Sequence, residues 1–240
     1  MDNVMLLATR LISLQTRRVE IAGENVANVA TPGYKREIAF EDALAAAGAD
    51  HFQAASIVGN ANGSTVATDF SAGKLVHTGD PFDLSITGAG FFEVATTDGP
   101  AYTRLGSFQR DADGRLVTAQ GWPLQGSNGD VRVNAANWHV ERDGTVIDNG
   151  NTVAVVRIVD FDDTAKLRRT DGGLFVSDGA QAADVDRVQV SQGYIESSNA
   201  TLPTDMMQMM EAMRRVESGQ KLVHAYDDMM GSVMQRLGEM

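Results

Sequence analysis

The sequence predicts an α+β protein with two terminal helices and a central, mainly antiparallel β domain. Near each end, apolar residues recur at steps of three and four, the period of an amphipathic helix. In the middle, short runs alternate apolar and polar residues between Asp-Gly and Asn-Gly pairs, as in strands joined by hairpins. We expect a discontinuous helical domain at 1–35 and 200–240, a connector at 36–74 and a β-rich outer domain at 75–199.

The N-terminal helix is predicted from one apolar stripe in the first 28 residues, which contain no proline. Its members follow the spacing of a coiled-coil contact line, so we expect them to form an assembly interface. The interface residues predicted here are Val4, Leu7, Leu11, Leu14, Ile21, Asn25 and Asn28.

The C-terminal helix is predicted to begin near Pro203, because a first helical turn tolerates the missing N–H of proline. Asp205 follows, where a carboxylate interacts favourably with the helix dipole. Nine of the eleven methionines lie beyond residue 205, so this helix presents an adaptable face. Its predicted interface residues are Met206, Met209, Met213, Val216, Val223, Met230, Met234 and Leu237.

Two glycines interrupt the C-terminal pattern, Gly219 and Gly231. Each costs a helix about 1 kcal/mol relative to alanine. Either they are tolerated imperfections, or neighbouring backbones approach closely there.

The β domain is predicted from alternating runs such as Phe82-Leu84-Ile86 and Val153-Val155-Arg157. Glycine after Asp or Asn supplies the positive φ that tight hairpins require. The seven pairs are Asp98-Gly99, Asp113-Gly114, Asn128-Gly129, Asp143-Gly144, Asn149-Gly150, Asp171-Gly172 and Asp178-Gly179. Residues 48–72 are rich in Ala, Gly, Ser and Asn, which is typical of a loosely ordered connector.

Catalytic, cofactor and metal sites are not predicted. The four histidines are scattered and form no metal-ligand pair. Gly88-Ala89-Gly90 resembles the start of a phosphate loop, but the strand-like run from Phe91 follows it, so we interpret it as a turn. Asp160, Asp162 and Asp163 lack the spacing of a calcium loop.

The overall composition disfavours several classes of binding partner and site. The net charge of −12 disfavours nucleic acid and anionic membrane surfaces. With no cysteine, disulfide scaffolds and thiolate sites are excluded. The first residues lack the basic and apolar regions of a cleavable signal peptide, and no apolar run predicts a membrane span. If the protein leaves the cytoplasm, we expect another export route.

The two apolar stripes must be buried against other helices. They can pack on each other, but extra methionines at Met207, Met210 and Met229 leave a surplus of apolar surface. We therefore expect a heterologous assembly, in which one surface of a subunit meets a different surface of the next.

Five collinear motifs carry a family resemblance. The first, Glu24-Asn25-Val26-Ala27-Asn28-Val29-Ala30-Thr31-Pro32-Gly33-Tyr34-Lys35, resembles the N-terminal signature of bacterial flagellar rod and hook proteins. The others are residues 78–84, 90–92, 102–108 and 192–199. Family-motif residues are Asn25, Ala27, Asn28, Thr31, Gly33, Tyr34, Lys35, Gly193, Glu196 and Asn199. Two departures are Glu24, where the family usually has asparagine, and Val216, where one branch has an aromatic residue after two arginines.

The resemblance implies a structural rod subunit that transmits torque. It implies a helical core built from both termini, an outer β domain and no cofactor. It also implies assembly in the rod across the periplasm, with neighbouring rod proteins and further copies as partners, after export through the flagellar type III apparatus.

Two other classes stay open from the residues alone. An adhesin or ligand-binding β module on a helical stalk would need a concave aromatic site, and aromatics make up only 6% of the chain. A polysaccharide-cleaving enzyme would need two carboxylates facing each other across a groove.

Overall fold

The chain forms two compact units, one at the joined termini and one in the middle. The computed structural model describes residues 2–39, 66–134, 137–185 and 189–238, without the side chains of residues 2–4, 165 and 233–238. One unit comprises Met1–Ala27 and Thr201–Met240, and the other comprises Asn28–Ala200. The prediction of an α+β protein is confirmed. The predicted connector at residues 48–72 falls mostly outside the described residues.

The terminal unit contains two helices that pack against each other, α1 (Asp2–Ala27) and α2 (Leu202–Gly238). The Asn25 side-chain amide donates to the Asp205 carboxylate over 3.4 Å. A Cβ placed on Gly219 would lie 2.8 Å from Cγ1 of Ile12. A later residue of α1 therefore meets an earlier residue of α2, so the helices run antiparallel. None of the described helices is long and apolar enough to cross a bilayer.

The start of α2 follows the predicted signals. Asp205 lies in the first turn and is fully buried. Its carboxylate accepts a hydrogen bond of 3.0 Å from the backbone N–H of Thr201. A buried acceptor at this end satisfies a backbone donor that the helix leaves unpaired. Helix α1 ends at Ala27, before the turn that contains Thr31-Pro32-Gly33.

The middle unit is built from nineteen described strands, and every strand pair is antiparallel. The strands are β1 (Glu37–Ala39), β2 (Val66–Thr68), β3 (Leu75–His77), β4 (Leu84–Ile86), β5 (Phe91–Thr96), β6 (Gly99–Thr103), β7 (Gln109–Arg110), β8 (Leu116–Val117), β9 (Gln125–Gly126), β10 (Gly129–Asp130), β11 (Trp138–Val140), β12 (Thr145–Asp148), β13 (Asn151–Val155), β14 (Ile158–Phe161), β15 (Leu167–Thr170), β16 (Leu174–Ser177), β17 (Ala182–Asp184), β18 (Val190–Gln192) and β19 (Tyr194–Glu196).

The largest sheet has the order β15-β16-β6-β5-β14-β17, and a second sheet has the order β11-β12-β13. Residues of β5 alternate between two hydrophobic clusters: Phe91 belongs to one, and Phe92 and Val94 belong to the other. The remaining strands form two-stranded ribbons. Two of these ribbons pair β3 with β19 and β4 with β18, so they join the early and late parts of the unit.

The predicted turns are confirmed. In each of the seven Asp-Gly and Asn-Gly pairs the glycine has a positive φ. Asn149 is the one non-glycine with a positive φ among the described residues, and with Gly150 it joins β12 to β13. Gly88-Ala89-Gly90 forms a bend before β5, as interpreted from the sequence. On β13, Val153 and Val155 face outwards, whereas Ala154 and Val156 are buried.

Candidate functional site

Residues from three of the five family motifs, Lys35, Arg104 and Glu196, meet in a buried polar cluster of the middle unit. Nζ of Lys35 lies 2.7 Å from Oε1 of Glu196, and Nη1 of Arg104 lies 3.3 Å from the other carboxylate oxygen. The side chains of Lys35, Glu196 and Arg104 are only 1%, 3% and 7% exposed. One carboxylate is thus shared by two cations away from solvent.

Backbone groups complete the cluster. The Lys35 ammonium also donates to the carbonyl of Ser71 over 2.8 Å, and the N–H of Gly73 donates to Oε1 of Glu196 over 2.7 Å. The Arg104 guanidinium donates to the carbonyl of Gly88 over 2.7 Å. A buried ion pair is tolerated when further hydrogen bonds satisfy its charged groups. These bonds do so for Lys35 and for both Nη atoms of Arg104, whereas the buried Nε of Arg104 has no hydrogen-bond partner among the described residues.

Burial sets the electrostatics of the cluster. Desolvation lowers the pKa of Lys35, and the hydrogen bond to Glu196 opposes that shift. Desolvation likewise lowers the pKa of Arg104, against the attraction of the same carboxylate. Removal of Glu196 would therefore leave two desolvated cations side by side.

The side chain of Asn199 forms hydrogen bonds to the backbone next to this buried cluster. Its Oδ1 accepts the backbone N–H of Arg36 over 2.7 Å, and its Nδ2 donates to the carbonyls of Asp69 and Ser71 over 2.8 and 3.1 Å. These contacts hold the chain entering the unit beside the chain leaving it. No motif or periodicity marks Asp69, Ser71 or Gly73 as functional, because these residues act mainly through their backbone.

Two motif glycines, Gly33 and Gly193, have a positive φ that favours glycine, and at Gly33 a side chain would also collide with a neighbouring backbone. Gly33 has a φ of 65°, and a Cβ there would lie 2.3 Å from the carbonyl oxygen of Arg104. The carbonyl of Gly193 accepts hydrogen bonds from the backbone N–H groups of Thr78 and Gly79 over 2.9 and 3.2 Å. The N–H of Gly193 donates to the backbone carbonyl of Asp83 over 2.8 Å. The motif at 78–84 and the motif at 192–199 are therefore joined through backbone contacts.

Tyr34 and Lys35 have a further partner that the sequence did not indicate. The Arg169 guanidinium lies 4.5 Å from the centre of the Tyr34 ring and donates to the carbonyl of Lys35. It also lies 3.1 Å from the carboxylate of Glu37. Earlier in the chain, the Thr31 hydroxyl donates to Oδ1 of Asn28 over 3.2 Å, which supports the turn that follows α1.

In the terminal unit, the predicted interface residues fall into three groups by exposure. Ile21 and Asn25 are buried. The half-buried residues are Met209, Val216, Val223 and Met230. Asn28 is also half-buried, but it belongs to the middle unit. Leu7, Leu11, Leu14, Met206 and Met213 are exposed. Val4, Met234 and Leu237 lie outside the described side chains.

The contact line between the helices passes one residue away from Leu7, Leu11, Leu14, Met206 and Met213, but it includes the predicted residues Asn25, Met209, Val216, Val223 and Met230. It also contains small and polar residues that a search for large apolar side chains passes over. On α1 it follows Ala8, Ile12, Gln15, Val19, Ala22 and Asn25, and on α2 it follows Asp205, Met209, Ala212, Val216, Gly219, Val223, Tyr226 and Met230. Gly219 is buried against the side chain of Ile12, so close approach of a neighbouring backbone there stays a prediction. A Cβ on Gly231 would have nothing within 4 Å.

A groove in the middle unit contains two carboxylates, Asp143 and Asp184, the residue type that a polysaccharide-cleaving enzyme would need. It is lined by Arg142, Asp143, Arg157 and Asp184 among others. The backbone N–H of Thr145 hydrogen-bonds the Asp143 carboxylate and lowers its pKa, whereas a glycosidase acid needs a raised one. Asp184 lies 3.5 Å from the guanidinium of Arg157. This geometry does not favour general acid catalysis.

Comparison with known proteins defines the class. Residues 85–147 match the family model "Flagellar hook protein FlgE/F/G D1 domain", and residues 191–236 match "Flagellar basal body rod FlgEFG protein C-terminal". Two segments of the chain are thus similar to flagellar hook and rod proteins.

Relatives narrow the class to the rod. The chain is 31% identical to the flagellar basal-body rod protein FlgF of Escherichia coli, over 99% of both chains. It is 29% identical to FlgF of Caulobacter vibrioides over 100% of this chain and 99% of the relative. It is 27% identical to FlgG of Bacillus subtilis over 89% and 90%. The chain belongs to the flagellar basal-body rod protein family and is a structural subunit of that rod.

Proposed function

We propose that this rod subunit assembles through its terminal helices with neighbouring rod subunits and so transmits torque without turnover. The observation that carries the proposal is the apolar surface left on the helix pair. Leu7 is 69% exposed, Met207 63% and Leu222 62%. Apolar patches of this kind mark interaction surfaces in soluble proteins.

The helix pair itself is the assembly element in this proposal. Its contact residues repeat at steps of four and three on α2, which supports coiled-coil-like packing. Residues 1–35 and 200–240 would form this inner domain, residues 36–74 the connector and residues 75–199 the outer domain. The buried cluster around Lys35 and Glu196 would then keep the first and last parts of the middle unit in fixed register under load.

Between the two rod-protein types among the relatives, we propose the FlgF type. Coverage does not separate the two types, because relatives of both match over nearly the full length of both chains. Arg214-Arg215-Val216-Glu217 resembles the Arg-Arg-aromatic-Glu element of FlgF-type proteins. The departure at Val216 falls on the contact line of α2, so it would alter packing inside the helix pair. An FlgG-type distal rod subunit is the alternative.

Location and export are proposed on the same basis. A subunit of this kind would occupy the rod across the periplasm, between the proximal and distal sections. It would reach that place through the flagellar type III apparatus, without a cleavable signal peptide.

The substitution Met213→Asp tests the proposal. Met213 is 44% exposed on α2, so a carboxylate there should leave the fold intact and be buried unpaired only on assembly. In the host bacterium we expect loss of the variant from purified basal bodies and loss of swimming. Near-ultraviolet circular dichroism of the purified chain should show an unchanged middle unit.

Lys221→Asp is the matched control, because Lys221 is an exposed polar residue of the same helix. We expect it to enter the rod normally. Normal incorporation of Met213→Asp would place this face outside the interface and contradict the proposal.

A further inference from the structure

The sulfur atoms of this chain are confined to its terminal unit. All eleven methionines lie at positions 1–5 or 206–240, and the chain has no cysteine. The middle unit, Asn28–Ala200, therefore contains no sulfur. Thioether and thiol sulfurs are the side-chain atoms that mild oxidants modify in steps. A mild oxidant would thus change the helical unit and leave the β-rich part unmodified.

Most of the described methionines on α2 are exposed, although methionine is among the residues that folded proteins most often bury completely. Met209 and Met230 are half-buried on the contact line. The same helix therefore offers accessible sulfurs and shielded ones, in two places as direct neighbours. The accessible set, called the exposed methionines, is 42–63% exposed and comprises Met206, Met207, Met210, Met213 and Met229.

Three of the exposed methionines border the contact line along one flank. Met206, Met210 and Met213 are spaced by four and three residues, so they share one side of α2. Each directly follows a residue of the contact line, and successive residues turn by about 100° around a helix. Their thioethers therefore lie beside the packing between α1 and α2, not within it. A change of polarity at these sulfurs alters the outer surface of the helix pair and leaves its internal contacts in place.

The reaction at each sulfur needs only a peroxide as co-reactant. A lone pair of the thioether sulfur attacks one oxygen of hydrogen peroxide, and the S–O bond forms as the O–O bond breaks. The departing hydroxide takes the proton from the transferred oxygen, so the products are methionine sulfoxide and water. Sulfur loses an electron pair, and the peroxide gains it. The sulfoxide is polar where the thioether is apolar, and methionine sulfoxide reductases reverse the change.

We infer that the exposed methionines form a reversible oxidation site, at which peroxides remove the apolar character of α2 in the unassembled subunit. This inference rests on the proposed function, since neighbouring rod subunits would cover that apolar surface. One oxygen on each sulfur introduces a polar group that an apolar interface buries only at a cost in free energy. Met209 and Met230 react later because they are half-buried, so the helix pair keeps its contact line. Reduction restores the thioethers and with them the apolar surface.

Site-resolved oxidation of the purified full chain tests the chemistry. After brief exposure to dilute hydrogen peroxide, mass spectrometry of peptide fragments measures the sulfoxide fraction at each methionine. We expect Met210 and Met229 to be oxidised ahead of their neighbours Met209 and Met230, because the members of each pair differ in exposure. Retention on a hydrophobic-interaction column should fall, and it should recover after treatment with methionine sulfoxide reductases. Circular dichroism should show unchanged helices and an unchanged middle unit.

Three results of that experiment would overturn the inference. The first is equal oxidation within the two neighbouring pairs, and the second is loss of helical signal together with the first sulfoxides. The third is column retention that does not respond to oxidation, since the apolar surface would then be unchanged.

A polar variant tests the consequence in the host bacterium. Met210→Gln combined with Met213→Gln imitates the sulfoxide, because glutamine is polar and of similar length. We expect this variant to be lost from purified basal bodies, whereas Lys221→Gln, at an exposed position of the same helix, should enter the rod. If the glutamine variant enters the rod normally while Met213→Asp is excluded, the inference is overturned and the proposed function stands. Normal entry of Met213→Asp would overturn the proposed function and the inference with it.

Discussion

Lys35 and Glu196 form an ion pair of 2.7 Å in the interior of the middle unit, although 161 positions separate them in the sequence. The pair joins the first family motif to the last. Arg104, from a motif between them, completes it. Three motifs that are far apart in the sequence thus contribute one residue each to a single buried cluster.

Glu196→Gln should destabilise the middle unit strongly. It leaves the Lys35 and Arg104 cations buried without their shared counter-charge, and breaking such a buried pair costs about 3–5 kcal/mol. Urea unfolding followed by near-ultraviolet circular dichroism measures the change in the free energy of unfolding.

Lys166→Gln is the control for that experiment. Lys166 also lies near a carboxylate, 3.6 Å from Asp163, but both side chains are about half exposed. Exposed pairs contribute little, so this variant should unfold like the wild type. Equal unfolding midpoints for the two variants would contradict the assigned role of Glu196.

The stability of the middle unit should rise with pH on the alkaline side. Burial lowers the pKa of Lys35 below 10.5, so between the two pKa values the unfolded lysine binds its proton more tightly than the folded one. The free energy of unfolding therefore increases as pH rises through that interval. Unfolding of wild type and Lys35→Met from pH 8 upwards isolates this contribution. A wild-type free energy that falls relative to the variant would contradict the sign.

Gly219→Ala and Gly231→Ala should have opposite effects on the helix pair. A methyl group at position 219 would collide with Ile12, whereas position 231 has nothing within 4 Å. We expect Gly231→Ala to raise the thermal midpoint, because alanine is the better helix former by about 1 kcal/mol. Gly219→Ala should lower it, and adding Ile12→Ala should recover part of that loss. Far-ultraviolet circular dichroism at low concentration follows the helices.

The terminal helices should be weakly protected from amide exchange in the dilute monomer and well protected after assembly. Their exposed apolar side chains are not covered until a second molecule binds, and local opening is easiest where few apolar contacts hold an element. The strands around Leu84 and Val94, which are fully buried, provide the internal reference. Strong protection of both helices in the monomer would show that the pair is stable alone.

Sequence reasoning succeeded where the physics is local. Each Asp-Gly or Asn-Gly pair sets a turn from within itself, so Asn149-Gly150 could be placed without any knowledge of the rest of the chain. The start of α2 at Pro203 and Asp205 has the same local origin.

Sequence reasoning was less accurate where a residue's environment depends on a distant part of the chain. The apolar stripe through Leu7, Leu11 and Leu14 is regular, but the line that faces α2 is one residue further on, because small residues such as Gly219 leave room there for a side chain of the other helix. The contact of Arg169 with Tyr34 and the pairing of Lys35 with Glu196 join distant positions, and no periodicity encodes them. Only the resemblance marked Lys35 and Glu196 as related, and it did not indicate that they touch.

The separation of Lys35 from Glu196 has a consequence for timing. A chain that emerges end-first from a narrow conduit has one of these residues outside long before the other. On the proposed export route, the cluster would close only when nearly the whole middle unit has passed, so a partly exported chain would lack this central ion pair. Folding of the β-rich part would then depend on completed export.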